Sequence, residues 1–279
     1  MSTQITQPRS QIYAQAQTEQ QKPLSRQRIG VFGGAFDPPH LGHLKLASTA
    51  VTDLNLDTLI FVPTGQAPHK QRMGTGASHR LRMAQLAFEQ VDLSDSNGSS
   101  GSSDSSDSSD SSGSGNTVKF AVDERELKRT GVSYTIDTLL ELKREHPDAH
   151  LYLIVGADQA RVFDTWHRWT DILQIATLAV AARTLEMPVD TTLKAQNVEL
   201  NHYRWHNQDL INRIQNSRDS TNPAGVEIAV QLNMPSVPIS ATQIRTSIEE
   251  GLDVSNWLNP AVLSYIRAHS LYSPKSITE

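Results

Sequence analysis

One stretch fixes the path of the backbone before anything else is considered. Arg28 to Phe32 is a short β-branched and aromatic run that ends in Gly33-Gly34, and Asp37-Pro38-Pro39 follows it closely. Such a run favours an extended strand, and the prolines remove donors that a continuing strand would need. The chain must turn there. Leu41 to Leu54 then has helical spacing, and Thr58 to Val62 is a second apolar strand ending at Pro63. Strand, helix and strand in that order make a βαβ unit, the connection that joins parallel strands.

The same alternation continues. Strands are expected at Val118 to Val122, His150 to Val155, Leu178 to Ala182 and Val226 to Leu232. Helices are expected near His79 to Gln90, Tyr134 to Glu145, Asp171 to Ala176, Ala241 to Glu250 and Pro260 to His269. The pattern predicts an α/β fold: a mostly parallel, doubly wound sheet in a single domain over residues 28–273. In such sheets ligands sit beyond the carboxyl ends of the strands.

Two segments stand apart. Met1 to Gln27 is rich in Gln, Ser and Thr with almost no apolar period, which predicts a disordered tail. It is poor in acids and carries Arg9, Lys22 and Arg26, faintly like an organellar transit peptide, but it lacks the amphipathic repeat. Ser94 to Asn116 is nearly all Ser, Asp and Gly, the composition of a flexible, self-repelling insertion. Its spaced aspartates lack the fixed Gly and terminal Glu of a calcium loop. Residues 274–279 are read as a short C-terminal tail.

A net charge of -5 argues against a nucleic-acid or anionic-membrane binder, and the absence of cysteine excludes disulfides, thiolate metal sites and cysteine nucleophiles. No run of 18 apolar residues marks a membrane helix, and the N-terminus lacks the apolar core of a signal peptide. The expected location is cytoplasmic. The sequence leaves both monomer and homo-oligomer open.

The chemistry concentrates at two helix starts. At Gly33 and Gly34 missing side chains let a ligand approach the backbone, and the following helix offers His40, His43, free N–H groups and the positive end of its dipole. Together these make a socket for a polyphosphate. The pattern is neither the Walker Lys-Ser/Thr loop nor the Gly-x-Gly-x-x-Gly fingerprint. The second start is Ile239-Ser240-Ala241-Thr242-Gln243-Ile244-Arg245. Ser240 and Gln243 have capping-box spacing, which accounts for Ser240 without any function. Thr242 and Arg245, three apart, can offer a hydroxyl and a guanidinium to one anion.

Taken together, the Gly-Gly, Phe36-Asp37-Pro38, His-x-Gly-His and Ile-Ser-x-Thr-x-x-Arg elements resemble the nucleotidyltransferase superfamily with the HxGH signature. More closely, the chain is similar to bacterial nicotinate-nucleotide adenylyltransferases from Ile29 to Tyr272. The likeness includes Val62-Pro63 with Pro68-His69-Lys70, Asp123 to Arg129, Ser133 to Leu139, Gly156-Ala157-Asp158-Gln159 and Thr165-Trp166. The N-terminal tail and the Ser/Asp-rich insertion depart from the family pattern and bear on regulation rather than chemistry.

The resemblance implies a Rossmann-like fold and transfer of the adenylyl group of ATP to nicotinate mononucleotide, releasing pyrophosphate. It implies catalytic roles for His40, His43 and Arg245, with Gly33, Gly34, Phe36, Lys70, Ser240 and Thr242 at the ATP phosphates. Asp158 would meet ribose hydroxyls, while Tyr134, Thr135 and Trp166 would line the nicotinate pocket. Asp158 can equally be a helix N-cap, and Tyr134-Thr135 a helix start capped by Ser133. Trp169 reads as packing, Lys45 could assist the triphosphate or be an ordinary solvated lysine, and His69, His202 and His206 make no convincing metal site. Magnesium would arrive with ATP, without a dedicated set of protein ligands. Nicotinamide mononucleotide is a rival acceptor. Pantetheine-phosphate adenylyltransferases and cytidylyltransferases share the first motif but lack the Ser-Tyr-Thr and Thr-Trp surroundings. A regulatory protein that kept the fold and lost turnover is the alternative from another class.

Overall fold

The computed structural model describes residues 26–66, 75–89, 117–181, 229–234 and 237–273. Six parallel strands form one sheet: β1 (Arg28–Gly34), β2 (Thr58–Pro63), β3 (Lys119–Val122), β4 (His150–Val155), β5 (Ala176–Ala181) and β6 (Ala229–Leu232). Their order across the sheet is β3-β2-β1-β4-β5-β6. The expected mostly parallel sheet is therefore wholly parallel among the described strands. Chain order reverses between β1 and β4, which opens a crevice at their carboxyl ends.

Helices cover both faces. On one side lie α1 (Leu41–Leu54), α2 (Ala77–Phe88), α7 (Ala241–Glu249) and α8 (Pro260–Ala268); on the other lie α4 (Thr135–Glu145) and α6 (Trp169–Ile175). One-turn helices α3 (Arg125–Lys128) and α5 (Ala157–Ala160) follow β3 and β4. The period-2 alternation of strand side chains divides the apolar core accordingly. Leu59 and Phe61 of β2 face α1 and α2, while Ile60 and Val62 face α4. At the centre of the first layer the rings of Phe61 and Phe88 stack at 3.9 Å. Gly30 has a packing reason: a Cβ there would come within 2.6 Å of Leu56 and 2.8 Å of Leu59.

Most expected elements fall within two residues of their observed bounds. The strand expected from Leu178 begins at Ala176, because the preceding helix ends earlier, at Ile175. The short helices α3 and α5 escape a periodicity reading, since one turn is too brief to show a period. Most of the N-terminal tail, the Ser94 to Asn116 insertion, residues 274–279, Val226, Lys70, His69, His202 and His206 lie outside the described residues. Among the described residues no helix is long and apolar enough to cross a membrane.

Candidate active site

The loop after β1 is built by its side chains. Phe36 takes a left-handed backbone conformation at φ 48°, costly for a bulky residue unless its surroundings hold it. They do. Its ring is 1% exposed and packs edge-on against Phe32, Phe88 and His43. The ring folds back over Gly34, where a Cβ would lie 2.9 Å from it, whereas a Cβ on Gly33 would meet nothing within 4 Å. Gly34 is thus required by packing, and Gly33 leaves open space above the strand end. Phe36 lies beneath the site, so only its backbone can face a phosphate.

His40 is the N-cap of α1 rather than a member of its first turn, and His43 is the third helical residue. Their rings lie 3.8 Å apart. The His40 N–H donates to His43 Nδ1 at 3.1 Å, a role that Glu or Gln usually plays in a capping box. With Nδ1 accepting, a neutral His43 carries its proton on Nε2, available to a ligand. Burial lowers the His40 pKa to about 4 and takes His43 well below the ordinary imidazole value, so the free site holds neutral imidazoles at pH 7. The glycine between them also has a reason. A Cβ on Gly42 would stand 3.0 Å from the His40 ring.

Three distant side chains fasten this loop. Arg245 Nη1 donates to the Asp37 carbonyl at 2.7 Å and its Nη2 to Thr242 Oγ1 at 3.2 Å. Tyr272 donates its hydroxyl to Asp37 Oδ1 at 2.6 Å. From α2, the buried Arg80 donates to the Ala35 carbonyl at 2.9 Å. Ser240 caps α7 by accepting the Gln243 N–H at 3.2 Å, as its spacing predicts. The start of α7 and the start of α1 are thereby joined at the carboxyl edge of the sheet.

Across the crevice, α4 starts at Thr135 with Tyr134 as its N-cap. Ser133 does not cap it: its hydroxyl donates instead to the Glu126 carbonyl at 3.2 Å. The Tyr134 ring packs on His167 at 4.3 Å, beside the partly buried Trp166. Trp169 packs on Phe163 as expected of a core residue. Asp158 is not an N-cap either, since Gly156 holds that position for α5; its exposed carboxylate lies 3.9 Å from Arg161. Arg80, Glu126, His167 and Tyr272 carry parts of this architecture to which sequence reasoning gave no role, and for Asp37 it gave the turn but not the bonds to Arg245 and Tyr272. The signals available were the Asp123 to Arg129 likeness, which contains Glu126, and the Thr165-Trp166 likeness beside His167.

The sequence matches the cytidylyltransferase-like family over residues 31–247. A protein of Albidiferax ferrireducens named "Probable nicotinate-nucleotide adenylyltransferase" is 36% identical over 245 residues, covering 88% of this chain and 98% of the relative. One of the same name from Laribacter hongkongensis is 36% identical, covering 91% and 98%. In structure the chain is similar to the Plasmodium falciparum nicotinic acid mononucleotide adenylyltransferase complexed with NaAD. That similarity has a TM-score of 0.55 at 16% identity and covers 88% and 98% of the two chains, which supports the fold. With two helix starts joined across the switch point of a parallel sheet and relatives matched over nearly their full length, the chain belongs to the cytidylyltransferase-like family and, within it, to the nicotinate-nucleotide adenylyltransferases.

Proposed function

We propose that this protein transfers the adenylyl group of ATP to nicotinate mononucleotide, giving nicotinate adenine dinucleotide and pyrophosphate in NAD biosynthesis. The observation that carries this reading is the joining of the α1 and α7 starts through Arg245 and Asp37. It holds the segment that leads into His40 and His43 against Thr242 and Arg245 of α7, so that imidazole, hydroxyl and guanidinium groups can act on one polyphosphate at the carboxyl ends of the strands.

In this reading the acceptor 5'-phosphate, mostly dianionic at neutral pH because its second pKa is about 6, attacks the α-phosphorus of ATP. A P–O bond forms to the α-phosphorus as the bond to the pyrophosphate oxygen breaks, and no general base is needed. Catalysis is then alignment and charge stabilisation. The exposed edge at Gly33, Nε2–H of His43 and the α7 start with Ser240, Thr242 and Arg245 hold the triphosphate. Lys70 is assigned to the same anion. Neutral imidazoles suit this work, because they donate hydrogen bonds without first losing a bulk-solvated charge. Asp158 takes the ribose, while Tyr134, Thr135 and Trp166 form the pyridine end.

Magnesium comes with ATP in this proposal. Among the described residues no three His, Cys, Asp or Glu side chains are grouped so that they could hold a metal ion, and the Asp37 carboxylate accepts the Tyr272 hydroxyl. A magnesium ion held by phosphate and water would neutralise developing charge on the phosphates. A cytoplasmic location, without nucleic-acid or membrane partners, belongs to the same proposal. The test is pyrophosphate release from ATP and magnesium, with nicotinate mononucleotide compared against nicotinamide mononucleotide.

A further inference from the structure

One buried carboxyl group has so far been given no role of its own. Glu126 on α3 is 7% exposed. Its Oε1 accepts the Thr138 hydroxyl at 2.8 Å and its Oε2 the Gly65 N–H at 3.3 Å, while its own backbone carbonyl accepts the Ser133 hydroxyl. Three segments meet there: the turn after β2, the residues before Tyr134 and the first turns of α4. A Cβ on Gly65 would stand 2.2 Å from the Glu126 carbonyl oxygen, so the turn is pressed directly onto α3. The Ser133 N–H donates to the Gln66 carbonyl at 2.9 Å, and Gln66 bridges Val132, which closes the arrangement. Outside it, Arg129 reaches both Thr138 and Glu141, and Arg125 reaches Asp123, Glu141 and Glu145. The α3–α4 corner is therefore held by several side chains, and Glu126 also grips the β2 turn through the Gly65 N–H.

We propose that Glu126 is a positioning residue for acceptor binding, fixing the wall formed by Gly65, Gln66 and the Ser133-Tyr134-Thr135 segment without touching substrate. This deepens the acceptor site and rests on the reading of nicotinate mononucleotide as acceptor. The side chain works as a two-point acceptor between an amide and a hydroxyl. Glutamine can replace it: the carboxamide oxygen takes the Gly65 N–H, and its NH2 donates to Thr138 Oγ1, which can accept. Alanine leaves the buried Gly65 N–H without a partner and frees the turn.

The experiment compares the full-length protein with Glu126→Ala, Glu126→Gln and Thr138→Val. Glu126→Ala should raise KM for the mononucleotide tenfold or more while KM for ATP stays within twofold, and Glu126→Gln should restore KM to within threefold of the parent. Thr138→Val, a milder change, should raise the mononucleotide KM severalfold and serves if the alanine variant does not fold. Equal rises for both substrates, no rise in folded Glu126→Ala or Thr138→Val, or a glutamine variant as impaired as alanine would overturn the proposal. Amide exchange separates this from failure of the acceptor assignment. If the parent turns over no nicotinate mononucleotide, the functional reading falls. The fastening is then judged by Gly65 N–H exchange, expected at least tenfold faster in Thr138→Val or Glu126→Ala and unchanged in Glu126→Gln. Unchanged exchange in the first two variants would overturn it.

Discussion

Arg245 Nη1 lies 2.7 Å from the carbonyl oxygen of Asp37, a residue 208 positions earlier in the chain. The contact makes one wall of two helix starts. Its fork geometry also lets the same guanidinium hold Thr242, which a lysine ammonium cannot do from one fixed position. Arg245→Lys should therefore behave much like Arg245→Ala, with kcat/KM for ATP lowered by about a hundredfold. Steady-state kinetics would check this, and near-normal activity of the lysine variant would show that charge alone suffices.

Gly42 offers a test in which stability and activity part. A methyl group there would press on the His40 ring at 3.0 Å, yet alanine is favoured over glycine in a helix by about 1 kcal/mol. Gly42→Ala is expected to keep or raise thermal stability while lowering kcat tenfold or more. Calorimetry and kinetics on the same preparation decide it. A fully active Gly42→Ala would mean that the His40 ring position is unimportant.

His43→Ala removes both the Nε2 donor and the Nδ1 acceptor of the His40 N–H. The first loss should cost a hundredfold or more in kcat, and the second about 1 kcal/mol of stability. An unchanged kcat would make His43 a structural residue only.

Tyr272, just past the end of α8, is fastened to the loop after β1. Burial and the neighbouring Asp37 push its hydroxyl pKa up, so it remains a donor across the whole neutral range. Tyr272→Phe leaves Asp37, 5% exposed, without that donor. Denaturant unfolding should show a loss of about 1 to 3 kcal/mol, with kcat reduced severalfold because Asp37 also seats Arg245.

The histidines give the protein an acid limit. His40 binds its proton less readily when folded, at about 4 against 6.5, so the unfolded chain is protonated first as pH falls. Stability present above pH 6.5 is lost progressively toward pH 4, by about 2 kcal/mol between pH 7 and pH 5 for His40 alone. Urea unfolding at the two pH values should show that loss, with His40→Asn visibly flatter. Equal pH dependence in the two proteins would contradict the buried neutral imidazole.

Much of this was legible in the residues, for physical reasons. The βαβ unit, both helix starts and the Ser240 cap follow from local rules about proline, glycine and hydroxyl side chains, and the structure places them as those rules require. The parallel order and the crevice follow from the alternation of elements. What stayed hidden depends on distance along the chain. Arg80, Glu126 and Tyr272 act on segments to which no local pattern links them, and Ser133 looked like a cap because its better partner, the Glu126 carbonyl, appears only on folding. Phe36 looked like a ligand contact because a motif does not reveal that its ring points into the core.

The central claim is acceptor identity. It is tested most directly by catalytic efficiency with nicotinate mononucleotide against nicotinamide mononucleotide, both with ATP and magnesium, followed by pyrophosphate release and chromatographic detection of the dinucleotide. We predict efficient formation of nicotinate adenine dinucleotide and a much lower efficiency with the amide. Comparable or better turnover of the amide, or no dinucleotide from folded protein with either acceptor, would contradict the account.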